Sequence, residues 1–241
     1  MNRISRRLHP QCFLWPAIVL MSLCAAAGFA DQKKGAASGI LAEDKGSFTI
    51  KLDGHTIGHE EFEIAPSSGG WLARGNAEFK APQSPSSKVS GALTLDSNGD
   101  PIRYEWTSQA DKTNGAHVLF TDGIAKMTLE MQGAHPFDQT FTFASPLIAV
   151  LDNNLYHQYA VLARIYDWSK RGAQSFPVFI PQELLPGTIT AEATGSATVD
   201  GKSYEGLRVS TTDLEIDLLL DSNHRLMRLE VPGSKVSVVR D

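Results

Sequence analysis

The 241-residue chain has a formal net charge of −5, and 42% of its residues are hydrophobic. This acidic balance argues against nucleic acid or an anionic membrane surface as a partner. Both cysteines, Cys12 and Cys24, lie in an N-terminal segment that we expect to be removed. Disulfides, thiolate metal ligands and cysteine nucleophiles are therefore excluded from the mature chain.

Residues 1–30 have the pattern of a secretory signal peptide. Three arginines precede an apolar run over residues 12–27, and small residues lead up to Ala30. We expect cleavage after Ala30, a periplasmic or secreted protein, and no transmembrane segment after signal removal. Export through a twin-arginine signal at Arg6 and lipid attachment at Cys24 are the alternatives.

Residues 31–45 are small and polar, and we interpret them as a flexible leader. From Phe48 onward, apolar residues alternate with polar ones, as in strands with one buried face. About fourteen such runs are joined by short turns, and one helix interrupts them. The pattern predicts a single all-β, mainly antiparallel domain over residues 46–241, with a curved meander or barrel-like sheet and one central α-helix.

The helix is predicted at about 153–170, where apolar residues recur at helical spacing: Leu155, Tyr159, Leu162 and Tyr166. Asp152, Asn153 and Asn154 are interpreted as its N-terminal cap, and Gly172 suits the position after its last turn.

A second stripe lies on the opposite face of this helix: His157, Val161, Arg164 and Trp168. We predict that it binds a ligand, with Arg164 holding an anionic head group and Trp168 contacting the apolar part. The alternative is that the stripe packs under residues 176–181, with Arg164 paired to a strand carboxylate.

One sequence pattern occurs twice. Residues 93–98 match residues 218–223 at a separation of 125 residues, and each copy ends in Asp-Ser-Asn. Arg103 and Glu105 match Arg228 and Glu230 at the same separation. Both segments are predicted to be hairpins, which reflect either shared turn chemistry or two related meanders flanking the helix.

We find no local pattern for catalysis or metal binding. His55 and His59 are four apart in strand sequence, so they lie roughly 13 Å from each other and cannot chelate one ion. Glu60 and Glu61 are interpreted as a solvated strand edge. Neither a Gly-x-Ser-x-Gly elbow nor a Ser-x-x-Lys pair occurs in the sequence. We therefore assign no catalytic residue, no metal ligand and no cofactor.

Three segments carry a resemblance to a known group of proteins. These are Ile57-Gly58-His59-Glu60, the hairpin from Leu95 to Ile102, and Leu151-Asp152-Asn153-Asn154. In them the chain resembles exported bacterial β-rich domains of unknown function. Such domains are broadly similar to the half-open barrels of periplasmic lipoprotein carriers, which implies a curved sheet able to hold a ligand.

The first functional hypothesis is an exported, non-enzymatic binding module for an apolar or lipid-like ligand. A structural or protein-interaction component of the cell envelope is the alternative, and a hydrolase with a dispersed site is a further one. The expected partners are accordingly an amphiphilic small molecule or an envelope protein, and not a nucleic acid.

Overall fold

A computed structural model describes residues 41–80 and 86–241. The predicted signal peptide, most of the predicted leader and most of the loop near residue 83 lie outside the described residues. The described chain folds into one sheet of 15 strands and one α-helix, α1, at His157–Ile165. The strands are β1 Asp44–Leu52, β2 His55–Ser67, β3 Gly70–Phe79, β4 Ser87–Asp96, β5 Pro101–Gln109, β6 Thr113–Thr121, β7 Ile124–Met131, β8 Phe137–Thr142, β9 Ala149–Val150, β10 Gln174–Ile180, β11 Leu185–Val199, β12 Lys202–Ser210, β13 Glu215–Leu220, β14 Leu226–Val231 and β15 Val236–Arg240.

The sheet consists of two meanders joined side by side. Strands β1 to β8 pair in sequence, β10 to β15 do the same, and β15 pairs with β1. Every pairing is antiparallel except that of β9 with β10. The predicted all-β, mainly antiparallel fold with one helix is therefore confirmed.

The edge strands of the sheet are β8 and β9, which do not pair with each other. The gap is bridged by aromatic packing instead. The ring of Phe141 in β8 lies 4.6 Å from that of Phe179 in β10, and Phe143 contacts Phe179 edge-on. Tilted and edge-on pairs of this kind are favourable arrangements of aromatic rings. The curved sheet thus closes on itself through side chains rather than through backbone hydrogen bonds.

Helix α1 is enclosed around most of its circumference. Ala160, Val161, Leu162 and Ala163 are each less than 5% exposed, although they point in different directions. A helix that is apolar on all sides is typical of a buried position. Both stripes identified in the sequence therefore contact protein, and Leu162 belongs to the main core.

The helix lies inside the predicted range 153–170 and is shorter at both ends. Asn154 has a left-handed backbone with φ 65°, which a continuous helix cannot contain. Tyr166 adopts an extended conformation and ends the helix. The residue before the first turn is Tyr156, and its side chain makes no capping hydrogen bond. The prediction that Asp152, Asn153 and Asn154 cap the helix is wrong.

The fold begins within the segment predicted to be a flexible leader. Leu41 is 4% exposed, and β1 starts at Asp44. The Asp44 carboxylate accepts two hydrogen bonds from the Arg240 guanidinium, at 2.6 and 3.1 Å. This pairing is favoured because the planar guanidinium matches a carboxylate in shape. The predicted leader boundary at residue 45 is therefore a few residues too late.

The interpretation of Glu60 and Glu61 as a solvated strand edge is wrong for Glu60. Strand β2 lies between β1 and β3, and the Glu60 side chain is fully buried. Strand β2 has a β-bulge at Ile57, since Ile50 pairs with Gly58 while Lys51 pairs with Thr56.

The two hairpins predicted from the repeated pattern have the same turn chemistry. In one, Asp96 Oδ1 accepts hydrogen bonds from the backbone N–H groups of Asn98 and Asp100. In the other, Asp221 Oδ1 accepts them from Asn223 and Arg225. Both explanations of the pattern predict these bonds, so the choice between them stays open.

Leu162→Ala tests the core position of the helix. Because Leu162 is 1% exposed, the substitution should lower the free energy of unfolding by about 2–5 kcal/mol. Leu119→Ala is the matched control, since Leu119 is 57% exposed and should change stability by no more than about 0.5 kcal/mol. Equal denaturation midpoints for the two variants would contradict the enclosed helix.

Candidate functional site

The start of α1 rests on a buried carboxylate from the sheet. His157 Nδ1 lies 2.6 Å from Glu60 Oε1, and the Tyr156 N–H donates to Glu60 Oε2 at 2.8 Å. The His157 N–H points at the same carboxylate, at 3.3 Å. A helix N-terminus has backbone N–H groups without partners inside the helix, and its dipole favours negative charge. Glu60, which lies in strand β2, therefore caps the N-terminus of α1.

Two glycines let the helix start approach the sheet this closely. A Cβ atom at Gly75 would lie 2.3 Å from His157 Nδ1, and one at Gly91 would lie 2.6 Å from Leu155 Cδ1. Both distances are shorter than atoms tolerate, and neither position has open space. Glycine in the interior of a strand is destabilising by itself, and it often marks the close approach of another chain segment. Here it makes room for His157 and Leu155.

A second buried polar cluster lies next to the first. The Tyr104 hydroxyl donates to Asp152 Oδ2 at 2.7 Å and accepts from Gln158 Nε2 at 3.1 Å. The Gln158 side-chain oxygen accepts from the Asp152 N–H, and Asp152 Oδ1 accepts from the Gln182 N–H at 2.8 Å. Burial raises the pKa of Asp152 to about 7, although its hydrogen bonds favour the charged form. Burial, together with the Asp152 charge, also raises the pKa of Tyr104.

A cleft of about 700 Å³ opens beside this cluster, between the start of α1 and strands β10 to β13. Tyr156 and Tyr159 line it on the helix side. Its opposite wall is mainly apolar and includes Val178, Ile189 and Ile216. A groove of about 590 Å³ over β5 to β7 is more open, and a larger share of its lining side chains is polar or charged. Because ligand pockets are mostly apolar and enclosed, the first cleft is the better candidate.

The mouth of the cleft is also apolar. Leu185 and Leu214 line it and are 49% and 45% exposed. Exposed leucines at the rim of a concave apolar surface indicate a binding site, whereas leucines scattered singly over a protein surface need no explanation.

The hydroxyl groups of Tyr156 and Tyr159 make no hydrogen bond to any other described residue. Burial raises the pKa of Tyr156 to about 12, and it raises that of Tyr159 as well. Both phenols are therefore protonated at neutral pH, and each can donate a hydrogen bond to a ligand.

The four residues predicted to bind a ligand do not line this cleft. His157 is held by Glu60, and Val161 is in the core. Trp168 donates from Nε1 to the Ala163 carbonyl at 2.9 Å, and its ring stacks on that of His224 at 4.0 Å. Their role as ligand residues stays a prediction.

Arg164 is half-buried, and burial lowers its pKa. Within residues 41–80 and 86–241 it forms no ion pair with a strand carboxylate, although Asp44 and Asp221 are near enough to raise that pKa. The ion pair between Arg164 and a strand carboxylate, which the packing alternative predicted, is therefore not formed in the described chain.

Sequence reasoning missed Glu60 and the cleft tyrosine Tyr156. One signal was present for Glu60, because it has the same parity as Phe62 and Ile64 and so shares their buried face. Tyr159, which belongs to the first helical stripe, packs against the core and also borders the cleft.

The described part of the chain contains no helix long and apolar enough to span a membrane. Within that part, no group of three or more His, Cys, Asp or Glu side chains is placed to hold a metal ion.

The fold is similar to solved structures of unknown function. A β-barrel-like protein of the domain of unknown function DUF1849 from Brucella abortus matches with a TM-score of 0.56 and 11% identity, over 83% of this chain and 96% of that one. A DUF1089 family protein from Pseudomonas aeruginosa matches with a TM-score of 0.48 and 9% identity, over 74% of this chain and 91% of that one.

No family model and no curated protein matches the sequence. The fold itself is that of a β-rich, barrel-like protein, which is the class that the sequence resemblance implied. The implied links to export and to lipoprotein carriers stay predictions.

Asp152 should make stability depend on pH. Its pKa in the folded protein, about 7, is above its ordinary value of 3.8. Asp152 therefore adds its full contribution to the free energy of unfolding below about pH 4, and this contribution is lost as pH rises through 7. Asp152→Asn removes this titration. The stability of the wild type relative to the variant should fall by up to about 4 kcal/mol from pH 4 to pH 8, measured by chemical denaturation. If the free energies of unfolding of the wild type and the variant changed with pH in parallel, the raised pKa of Asp152 would be contradicted.

Proposed function

We propose that the protein is a non-enzymatic binding module that holds an apolar or lipid-like ligand in the cleft between α1 and strands β10 to β13. The observation that carries this proposal is the cleft itself, with a volume of about 700 Å³, a mainly apolar wall and a leucine rim. Pockets for small ligands are typically about 300–1,000 Å³ and mostly apolar. The signal-peptide pattern in residues 1–30 supports a periplasmic or secreted location for this module.

The buried polar groups support binding rather than hydrolysis. Glu60 and His157 are fully buried under the start of the helix, so neither reaches a substrate in this conformation. A general base must lie within about 2.6–3.2 Å of the proton that it removes, directly or through one water molecule. The pair instead fixes the helix residues that border the cleft.

One observation favours the alternative of an envelope interaction protein. Strand β8 is an edge strand, and Phe137 at its start is 48% exposed. Unpaired edge strands can accept a further strand from a partner. This surface is on the other meander from the cleft, so the two functions can be tested separately.

A variant that fills the cleft tests the proposal. Gly187 lines the cleft opposite Val178, and a Cβ atom there would be 3.4 Å from Val178 Cγ1, an ordinary contact distance. Gly187→Phe should therefore fold and occupy the cleft. Titration with the apolar fluorescent probe N-phenyl-1-naphthylamine should show one saturable site in the wild type, and binding weakened at least about tenfold in the variant.

Thr140→Phe is the matched control, because it adds the same ring at an exposed position outside the cleft. Its affinity for the probe should equal that of the wild type, and melting curves should show that both variants are folded. The absence of saturable binding by the wild type would refute the binding function. Equal binding by Gly187→Phe would place the probe elsewhere and contradict the proposed cleft.

A further inference from the structure

We infer that the cleft prefers a single-chain amphiphile with a cationic head group, of the alkylammonium class, to one with an anionic head group. This inference rests on the proposed binding function. It specifies the chemistry of the ligand, and it reverses the charge that the sequence predicted from Arg164.

The first support is the charge of the cleft wall. Two carboxyl side chains, Asp152 and Asp213, line the cleft, whereas no lysine, arginine or histidine is among its lining residues. An anionic head group would enter a mainly apolar space with no cation to pair with, which is costly. A cationic head group would be attracted by the carboxylate of Asp213, and by that of Asp152 where it is ionised above about pH 7.

The second support is the aromatic wall. Tyr156 and Tyr159 are three residues apart at the start of α1, and both border the cleft. The face of an aromatic ring is electron-rich and attracts cations, and quaternary ammonium groups are bound by such rings. The Tyr159 N–H donates to the Tyr156 carbonyl at 3.0 Å, and residues three apart in a helical turn lie on the same side, so the two side chains are neighbours. A cation on this side of the cleft therefore meets two rings as well as carboxylates.

The two carboxyls differ in position. Asp152 is 4% exposed at the inner end, where Tyr104 and Gln182 already donate to it. Asp213 is exposed and lies in the turn between β12 and β13. Because Asp213 makes no side-chain hydrogen bond to another described residue, its charge can be removed with little effect on the fold.

The test compares three ligands of equal chain length: decyltrimethylammonium, decanol and decanoate. Each competes with N-phenyl-1-naphthylamine for the wild-type protein at low ionic strength, where screening is weak, and below the concentration at which it aggregates. We expect decyltrimethylammonium to bind at least about tenfold more tightly than decanoate, with decanol between them. Decanoate that binds equally or more tightly would overturn the inference, and so would decanol that binds most tightly.

Two matched variants locate the charge effect. Asp213→Asn should weaken decyltrimethylammonium about threefold and leave decanol unchanged, because only the charge is lost. Asp111→Asn makes the same charge change at an exposed turn outside the cleft, and it should leave all three affinities unchanged. An equal effect of both variants would show that the head-group preference comes from the net charge of the protein and not from the cleft, and it would overturn the inference. Saturable probe binding without any head-group preference would refute this inference alone, whereas no saturable probe binding would refute the binding function.

Discussion

The carboxylate of Glu60 is buried beneath the first residues of α1, and the interior of the molecule is arranged around it. A buried charge is stable only when it is paired and hydrogen-bonded. Here the partners are the His157 ring and the backbone N–H groups of Tyr156 and His157, all at one helix end. The helix cannot slide or rotate without leaving the carboxylate unpaired. The close fit is possible because Gly75 has no side chain at the point of contact.

The contact between Glu60 and the helix start also positions the helix residues that line the cleft. With His157 fixed on β2 and β3, the neighbouring Tyr156 and Tyr159 are directed toward β10 to β13. The first meander therefore anchors the helix, while the second supplies the apolar wall. Asp152 connects the two, because its carboxyl accepts from Tyr104 in β5 and from the Gln182 backbone just after β10. The cleft is thus a consequence of how the helix is held between the meanders.

The strands and the single helix could be predicted from the sequence because their signals are local. Alternation in β1 and the Asp-Ser-Asn turns depend on neighbouring residues alone. The partnership of Glu60 with His157 spans 97 residues, so no local pattern contains it. Only the parity that Glu60 shares with Phe62 indicated its burial. The stripe with Arg164 and Trp168 has apolar surface that suits either a ligand or packing against protein, and the partner that Trp168 stacks on, His224, is 56 residues away, so no local pattern separates the two interpretations. The cleft residues extend from Leu151 to Val231, and their assembly depends on the pairing order of the strands.

The most direct test of this arrangement is the stability of Glu60→Ala compared with Glu61→Ala, measured by chemical denaturation. The two residues are adjacent in β2, but Glu60 is fully buried and Glu61 is exposed. If the Glu60 carboxylate anchors the helix, Glu60→Ala should lower the free energy of unfolding by about 3–5 kcal/mol, because its buried partners are left unpaired. Glu61→Ala should change it by no more than about 0.5 kcal/mol. Equal, small effects of the two substitutions would show that the helix is held in place without Glu60.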